Sequence, residues 1–180
     1  MKHPERIELA PGYSISRIIT GLWQVADIEK EDGSMDLGPA ASALVDYAES
    51  GFDTFDMADH YGSAELIAGH ARRKMQENDS ANRPSSQPRF HTKWCPKPDE
   101  MTPQKVRDGV LLSAERLDME QIDLMQFHWW NYEHPQYLDA MEGLQALKEE
   151  GIIRHLGLTN FDTDHLHLLL QEGIPIISNQ

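Results

Sequence analysis

The chain is poor in cysteine. Cys95 is its single thiol, so no intramolecular disulfide framework can form and a reducing compartment is expected. It is also short of positive charge: 16 Lys and Arg stand against 30 Asp and Glu, a formal net charge of -14. Such an excess repels phosphate backbones and anionic membranes, which argues against nucleic-acid and membrane partners. No run approaches the roughly 18–20 apolar residues of a membrane helix. No apolar stretch follows Met1-Lys2-His3-Pro4-Glu5-Arg6 as it would in a secretory signal. A cytoplasmic protein is therefore expected. What is present is 180 residues, 39% hydrophobic and 26% charged, enough for a single domain over residues 1–180 with a sizeable core.

Short β-rich runs alternate with longer helical stretches. The runs predict strands at 15–23, 52–56, 89–94, 122–128, 152–158 and 174–178, with helices at 38–50, 63–76, from 102, 135–150 and 162–171 between them. Gly51 and Gly151 stand where helix-ending glycines belong, and Thr102-Pro103 reads as an N-cap followed by a first-turn proline. Ser63 is a candidate N-cap of the second helix, whose stripe would be Leu66, Ile67 and Ala71. The third helix would bury Val106, Val110, Leu111, Ala114 and Leu117. Leu138, Met141, Leu144, Ala146 and Leu147 would face inward on the fourth, and Leu166, Leu168, Leu169 and Leu170 would pack the last. Residues 78–88, polar and rich in Ser and Pro, read as a surface loop.

A helix between successive strands makes βαβ units and a parallel sheet. A barrel and an open doubly wound sheet both fit. No Gly-x-Gly-x-x-Gly follows Gly21 or Asp56, so the expected fold is α/β, a partial (β/α)8 TIM barrel with about six of eight βα units. Two more units would bring the chain to about 240 residues, near the ~250 usual for a complete barrel. The sequence therefore reads as truncated, and a complete, shorter α/β sheet is the alternative.

In such a fold, chemistry gathers at the C-terminal strand ends. Those ends carry Trp23, Asp56 to Gly62, Lys93-Trp94, His128-Trp129-Trp130, Thr159-Asn160-Phe161 and Asn179-Gln180. Asp56-Met57-Ala58-Asp59-His60-Tyr61-Gly62 resembles the Asp-x-Ala-x-x-Tyr-Gly segment of the aldo-keto reductase superfamily. Thr92-Lys93, His128 after its β run, Gly157-Leu158-Thr159-Asn160-Phe161 and Asn179-Gln180 resemble further motifs of that family, in the same order.

The resemblance implies an NAD(P)H-dependent oxidoreductase acting on a small carbonyl substrate, with NADP more expected than NAD. It implies a catalytic tetrad of Asp56, Tyr61, Lys93 and His128. Asp56, Thr159, Asn160 and Gln180 would meet the cofactor, and Trp23, Trp94 and Trp129 would line the substrate mouth. In that reading Lys93 lowers the pKa of Tyr61 and makes it a better proton donor. Trp130, where many relatives have proline, has no implied role. The alternative function is a non-catalytic regulatory or binding subunit on the same scaffold. A barrel cut short would be poorly soluble or catalytically dead alone.

Other features read as structural. In a helix, His165 and His167 point about 200° apart, so they do not make a metal pair, and no metal is expected. Cys95 carries no mark of a nucleophile. Glu29-Lys30-Glu31-Asp32 and Asp118-Met119-Glu120 read as solvated faces.

Overall fold

Regular alternation of apolar runs and amphipathic stretches folds into one parallel arc. In a computed structural model, residues 3–26, 36–77 and 87–180 are described; Glu29 to Asp32 and most of the polar loop at 78–88 lie outside them. The chain opens with a hairpin, β1 (Arg6–Ala10) and β2 (Tyr13–Ser16), followed by β3 (Thr20–Gly21) and α1 (Leu37–Glu49). Then come β4 (Thr54–Asp56), α2 (Ala64–Glu77), β5 (Arg89–Trp94), α3 (Pro103–Leu117) and β6 (Ile122–His128). The chain continues through α4 (Tyr137–Glu149), β7 (Ile153–Thr159), α5 (Thr163–Gln171) and β8 (Ile176–Asn179). Six strands pair in parallel in the order β3-β4-β5-β6-β7-β8, as successive βαβ units require. Among the described residues the two outer strands do not pair with each other, so the sheet is an arc. No described helix is long and apolar enough to cross a membrane.

The first predicted strand is corrected. Residues 15–23 divide into the end of β2 and the two-residue β3, because β2 pairs antiparallel with β1. Pro11-Gly12 makes the turn, with Gly12 at φ 71. The hairpin closes the N-terminal end of the arc. Tyr13 is fully buried between the His91 and His155 rings, and the Ser16 amide donates to Thr54 Oγ1 at 2.9 Å.

Capping follows local chemistry. Thr102 Oγ1 accepts the Lys105 amide at the start of α3, and the Asp162 carboxylate accepts the His165 amide at the start of α5. Gly51 and Gly151, at φ 90 and 84, take the left-handed geometry that ends α1 and α4. Helix phase differs from the predicted stripes at four positions. Leu66, Leu111 and Leu170 are exposed, as is Ala146. On α2 the inward neighbour of Leu66 is Glu65, whose carboxylate accepts from Thr92 Oγ1 at 2.6 Å and from Arg116 at 3.3 Å. That buried polar contact sets the rotation of the helix. Asp118 is exposed, in left-handed geometry at φ 55, with Arg72 and Arg73 each 3.5 Å away.

Strand parity organises the core. On β5 Thr92 points outward to Glu65, while His91 and Lys93 point inward. Their parallel register with β4 and β6 sets Asp56 beside His91 and Gln126 beside Lys93. Phe55, Phe90, Met125 and Phe127 face the helices and form the apolar layer there.

Candidate active site

Asp56 ends β4, Lys93 lies one residue before the end of β5, and His128 ends β6, all at the C-terminal rim. Tyr61 follows in the loop after β4, anchored where the Asp59 amide donates to the Lys93 carbonyl at 2.9 Å and the Tyr61 amide to Ala58 at 3.1 Å. The Lys93 ammonium, buried to 2% exposure, donates to Asp56 Oδ2 at 2.5 Å and to the Met57 carbonyl at 3.1 Å. It stands 5.3 Å from the centre of the Tyr61 ring. A buried ammonium is sustained only by such partners.

His128 is buried as well. Its Nε2 accepts from the Asn160 amide at 2.9 Å, and its Nδ1 is buried without a protein partner among the described residues. The His60 ring lies near both heads, its centre 4.9 Å from that of Tyr61 and 6.4 Å from that of His128. His60 Nδ1 is 2.9 Å from Asp59 Oδ1. The phenol, ammonium, carboxylate and imidazole predicted to act together are thus gathered on one side of the arc.

The electrostatics correct one expectation. Burial, then the negative charge of Asp56, pushes the Tyr61 pKa up, not down. Lys93 faces the ring while its charge is engaged by Asp56. Burial, then His60 and Lys93, pushes the His128 pKa below its usual range, so its neutral form is favoured.

Of the predicted cofactor residues, Thr159 Oγ1 is buried with no protein partner among the described residues. The Gln180 amide reaches Asp56 Oδ2 at 3.4 Å. Asn160, at φ 63, gives its side chain to His128 and its backbone N–H to the Gln180 carbonyl at 2.8 Å. An orphaned hydroxyl on the same rim as an amide and a carboxylate is a polar donor and acceptor set suited to a carboxamide, so these residues fit a nicotinamide group.

Two of the three predicted mouth residues are corrected. Trp94 follows inward Lys93 and so points outward, onto α3. Its Nε1 would be 2.3 Å from a Cβ at Gly109, so that glycine makes the space for the indole. Trp129 follows inward His128 and also points outward. It stacks on Phe127 at 5.5 Å and donates Nε1 to the Asn131 carbonyl at 2.8 Å. Trp23 stays at the rim, edge-on to Tyr61 at 4.6 Å. Trp130, to which the sequence assigned nothing, is exposed and lies 4.1 Å from the His128 ring.

Gln126 was also missed. Its amide donates to Asp56 Oδ1 at 2.8 Å and so fixes the carboxylate that holds Lys93. It sits two residues before His128, and that even spacing already put it on the inner face. His165 is stacked on Tyr132 and held by Asp162, while His167 contacts Gln171. A concavity lined in part by Arg72, Phe90, Asp123 and Arg154 opens at the opposite end of the strands, away from these groups.

The model of the aldo/keto reductase family matches residues 17–180. The methylglyoxal reductase DkgA of Escherichia coli is 29% identical across the whole chain, and an NADH-specific methylglyoxal reductase of Escherichia coli is 26% identical over 89% of it. The chain spans only 58% and 53% of those two proteins. An aldo-keto reductase from Bombyx mori, solved with NADP, superposes on the whole chain with a TM-score of 0.75 at 19% identity, using 58% of its own length. A thermostable aldo-keto reductase solved with epalrestat gives a TM-score of 0.79 at 22% identity, covering 98% of this chain and 61% of its own. The six-stranded arc therefore has the fold of part of a (β/α)8 barrel.

Proposed function

This chain belongs to the aldo/keto reductase family, and on that premise we propose that its rim reduces an aldehyde or ketone to an alcohol, with Tyr61 as the proton donor. The observation that supports this most is the buried Lys93–Asp56 pair beneath Tyr61, with His128 on the adjoining strand. When bound, a reduced nicotinamide supplies the hydride. Thr159 and Gln180 would hold its carboxamide, and Asn160, engaged with His128, would set the imidazole.

The chain's own groups handle the proton. The upward push on Tyr61 keeps its hydroxyl protonated in the resting site, which is the form a donor needs. As negative charge builds on the substrate oxygen, Tyr61 Oη gives up its proton there. The phenolate left behind is stabilised by the nearby Lys93 ammonium, which Asp56 and the Met57 carbonyl hold in place. Gln126 keeps Asp56 oriented. Neutral His128, once its Nε2 leaves the Asn160 amide and carries the ring proton, would offer a hydrogen bond to the same oxygen and orient the carbonyl.

We expect NADPH over NADH, although one relative bears the name NADH-specific. With the outer edges of β3 and β8 carrying no pairing strand among the described residues, the isolated chain is expected to lack turnover. The test therefore uses a polypeptide in which this chain is continued past Gln180 by the remaining part of the Escherichia coli relative. Aldehyde-dependent NADPH oxidation should appear, and Tyr61→Phe should lower it by about 100-fold or more. Oxidation that persists unchanged in Tyr61→Phe removes Tyr61 as the acid.

A further inference from the structure

Each hydrogen-bonding head of the rim has an exposed indole against it. Trp23 is 49% exposed and edge-on to Tyr61; Trp130 is 63% exposed and lies over His128 with their planes 37° apart. Trp130 is not loose: its Nε1 donates to Cys95 Sγ at 2.9 Å, across from β6 to the segment that follows β5. Cys95 is itself fixed, because its amide donates to Asp59 Oδ2 at 3.1 Å. The thiol thus latches one indole in a set orientation and leaves the rest of its surface open. Trp94 and Trp129 cannot do this, since strand parity turns both of them to the helices.

We propose that Trp130, latched by Cys95 and laid on His128, is the specificity-determining wall of the acceptor site, and that it selects carbonyl compounds bearing a flat aryl ring. The inference rests on the reading of this rim as a carbonyl-reduction site. A carbonyl oxygen placed between Tyr61 and His128 brings the group attached to it alongside the two indoles. A planar ring can stack or meet them edge to face, and a puckered saturated ring of the same size cannot. Pre-fixing the Trp130 rotamer by its bond to sulfur reduces the ordering cost of each such contact.

The test needs no cofactor and no turnover. The polypeptide in which this chain is continued past Gln180, labelled at its indole nitrogens, is titrated with acetophenone and with cyclohexyl methyl ketone, and the indole N–H resonances of Trp23, Trp94, Trp129 and Trp130 are followed. Acetophenone is expected to shift Trp23 and Trp130 saturably, to leave Trp94 and Trp129 in place, and to bind several-fold to about 10-fold more tightly than the saturated ketone. Trp130→Ala, a change at an exposed position, should bring that ratio close to one, and Cys95→Ala should lower it part of the way. Equal affinity for the two ketones, an undiminished ratio in Trp130→Ala, or no saturable shift at Trp130 overturns the proposal. The outcomes separate from those of the proposed reaction: loss of aryl selectivity beside a Tyr61→Phe defect sinks only the wall. Aryl selectivity beside undiminished oxidation in Tyr61→Phe sinks only the acid.

Discussion

Acid should loosen this protein through His91 well before its carboxylates protonate. His91 is 2% exposed on the inner face of β5, its Nε2 2.9 Å from the Tyr13 hydroxyl that the N-terminal hairpin inserts. Burial, opposed by Asp56 and reinforced by Lys93, Arg89 and His155, pushes its pKa down from 6.5 to about 4. The unfolded chain therefore binds a proton that the folded chain refuses between those two values, so stability is full above about pH 6.5 and falls as pH drops toward 4. At about 1.4 kcal/mol for each tenfold in proton affinity, the whole loss is about 3 kcal/mol, of which about 2 kcal/mol is gone by about pH 5. Buried Glu65 and Asp123 act in the opposite sense, because burial raises their pKa values and they gain stability as pH falls through the carboxylate range. His155 is also pushed down to about 4, but its ring is partly exposed and its share is smaller. The comparison with His91→Gln cancels these common terms, since glutamine still offers Tyr13 an acceptor and does not titrate. Thermal unfolding followed by circular dichroism should show the wild type losing about 4–8 °C more than the variant between about pH 7 and about pH 5. Parallel losses in the two chains would refute the assignment to His91.

Two further outcomes follow from packing and from the sheet edges. Gly69→Ala should destabilise the chain by about 1–3 kcal/mol in urea unfolding despite the better helix propensity of alanine, because its Cβ would lie 2.3 Å from the Arg116 carbonyl oxygen where α2 meets α3; a neutral or stabilising result contradicts that close approach. The outer edges of β3 and β8, which carry no pairing strand among the described residues, should make the 180-residue chain self-associate as its concentration rises, read by sedimentation velocity, and a strictly monomeric chain at all concentrations would show the edges to be protected.

The long parallel strands were legible because burial on both faces forces continuous β-rich runs. The predicted 89–94 and 122–128 coincide with β5 and β6. Caps were legible where one side chain decides them, as at Thr102. The hairpin was not, although Pro11-Gly12 between two alternating runs is a turn signal; β1 is mostly exposed, so it shows little apolar pattern. Helix rotation failed at Leu66 because an apolar stripe cannot reveal that Glu65 finds Thr92 and Arg116 inside. At the rim, residue types pointed to the tetrad, and parity decided the tryptophans. Counting by twos from Lys93 and His128 turns Trp94 and Trp129 outward and brings Gln126 in. The upward push on Tyr61 was out of reach, because it comes first from burial in the folded rim and then from the charge of Asp56.

The most direct test of the central claim is a crystal structure of the completed barrel with oxidised cofactor and a carbonyl inhibitor bound. The account predicts the inhibitor's carbonyl oxygen within about 3.2 Å of both the Tyr61 hydroxyl and a ring nitrogen of His128, with Lys93 still on Asp56. A carbonyl oxygen bound away from both heads, or Lys93 turned out to solvent, would contradict it.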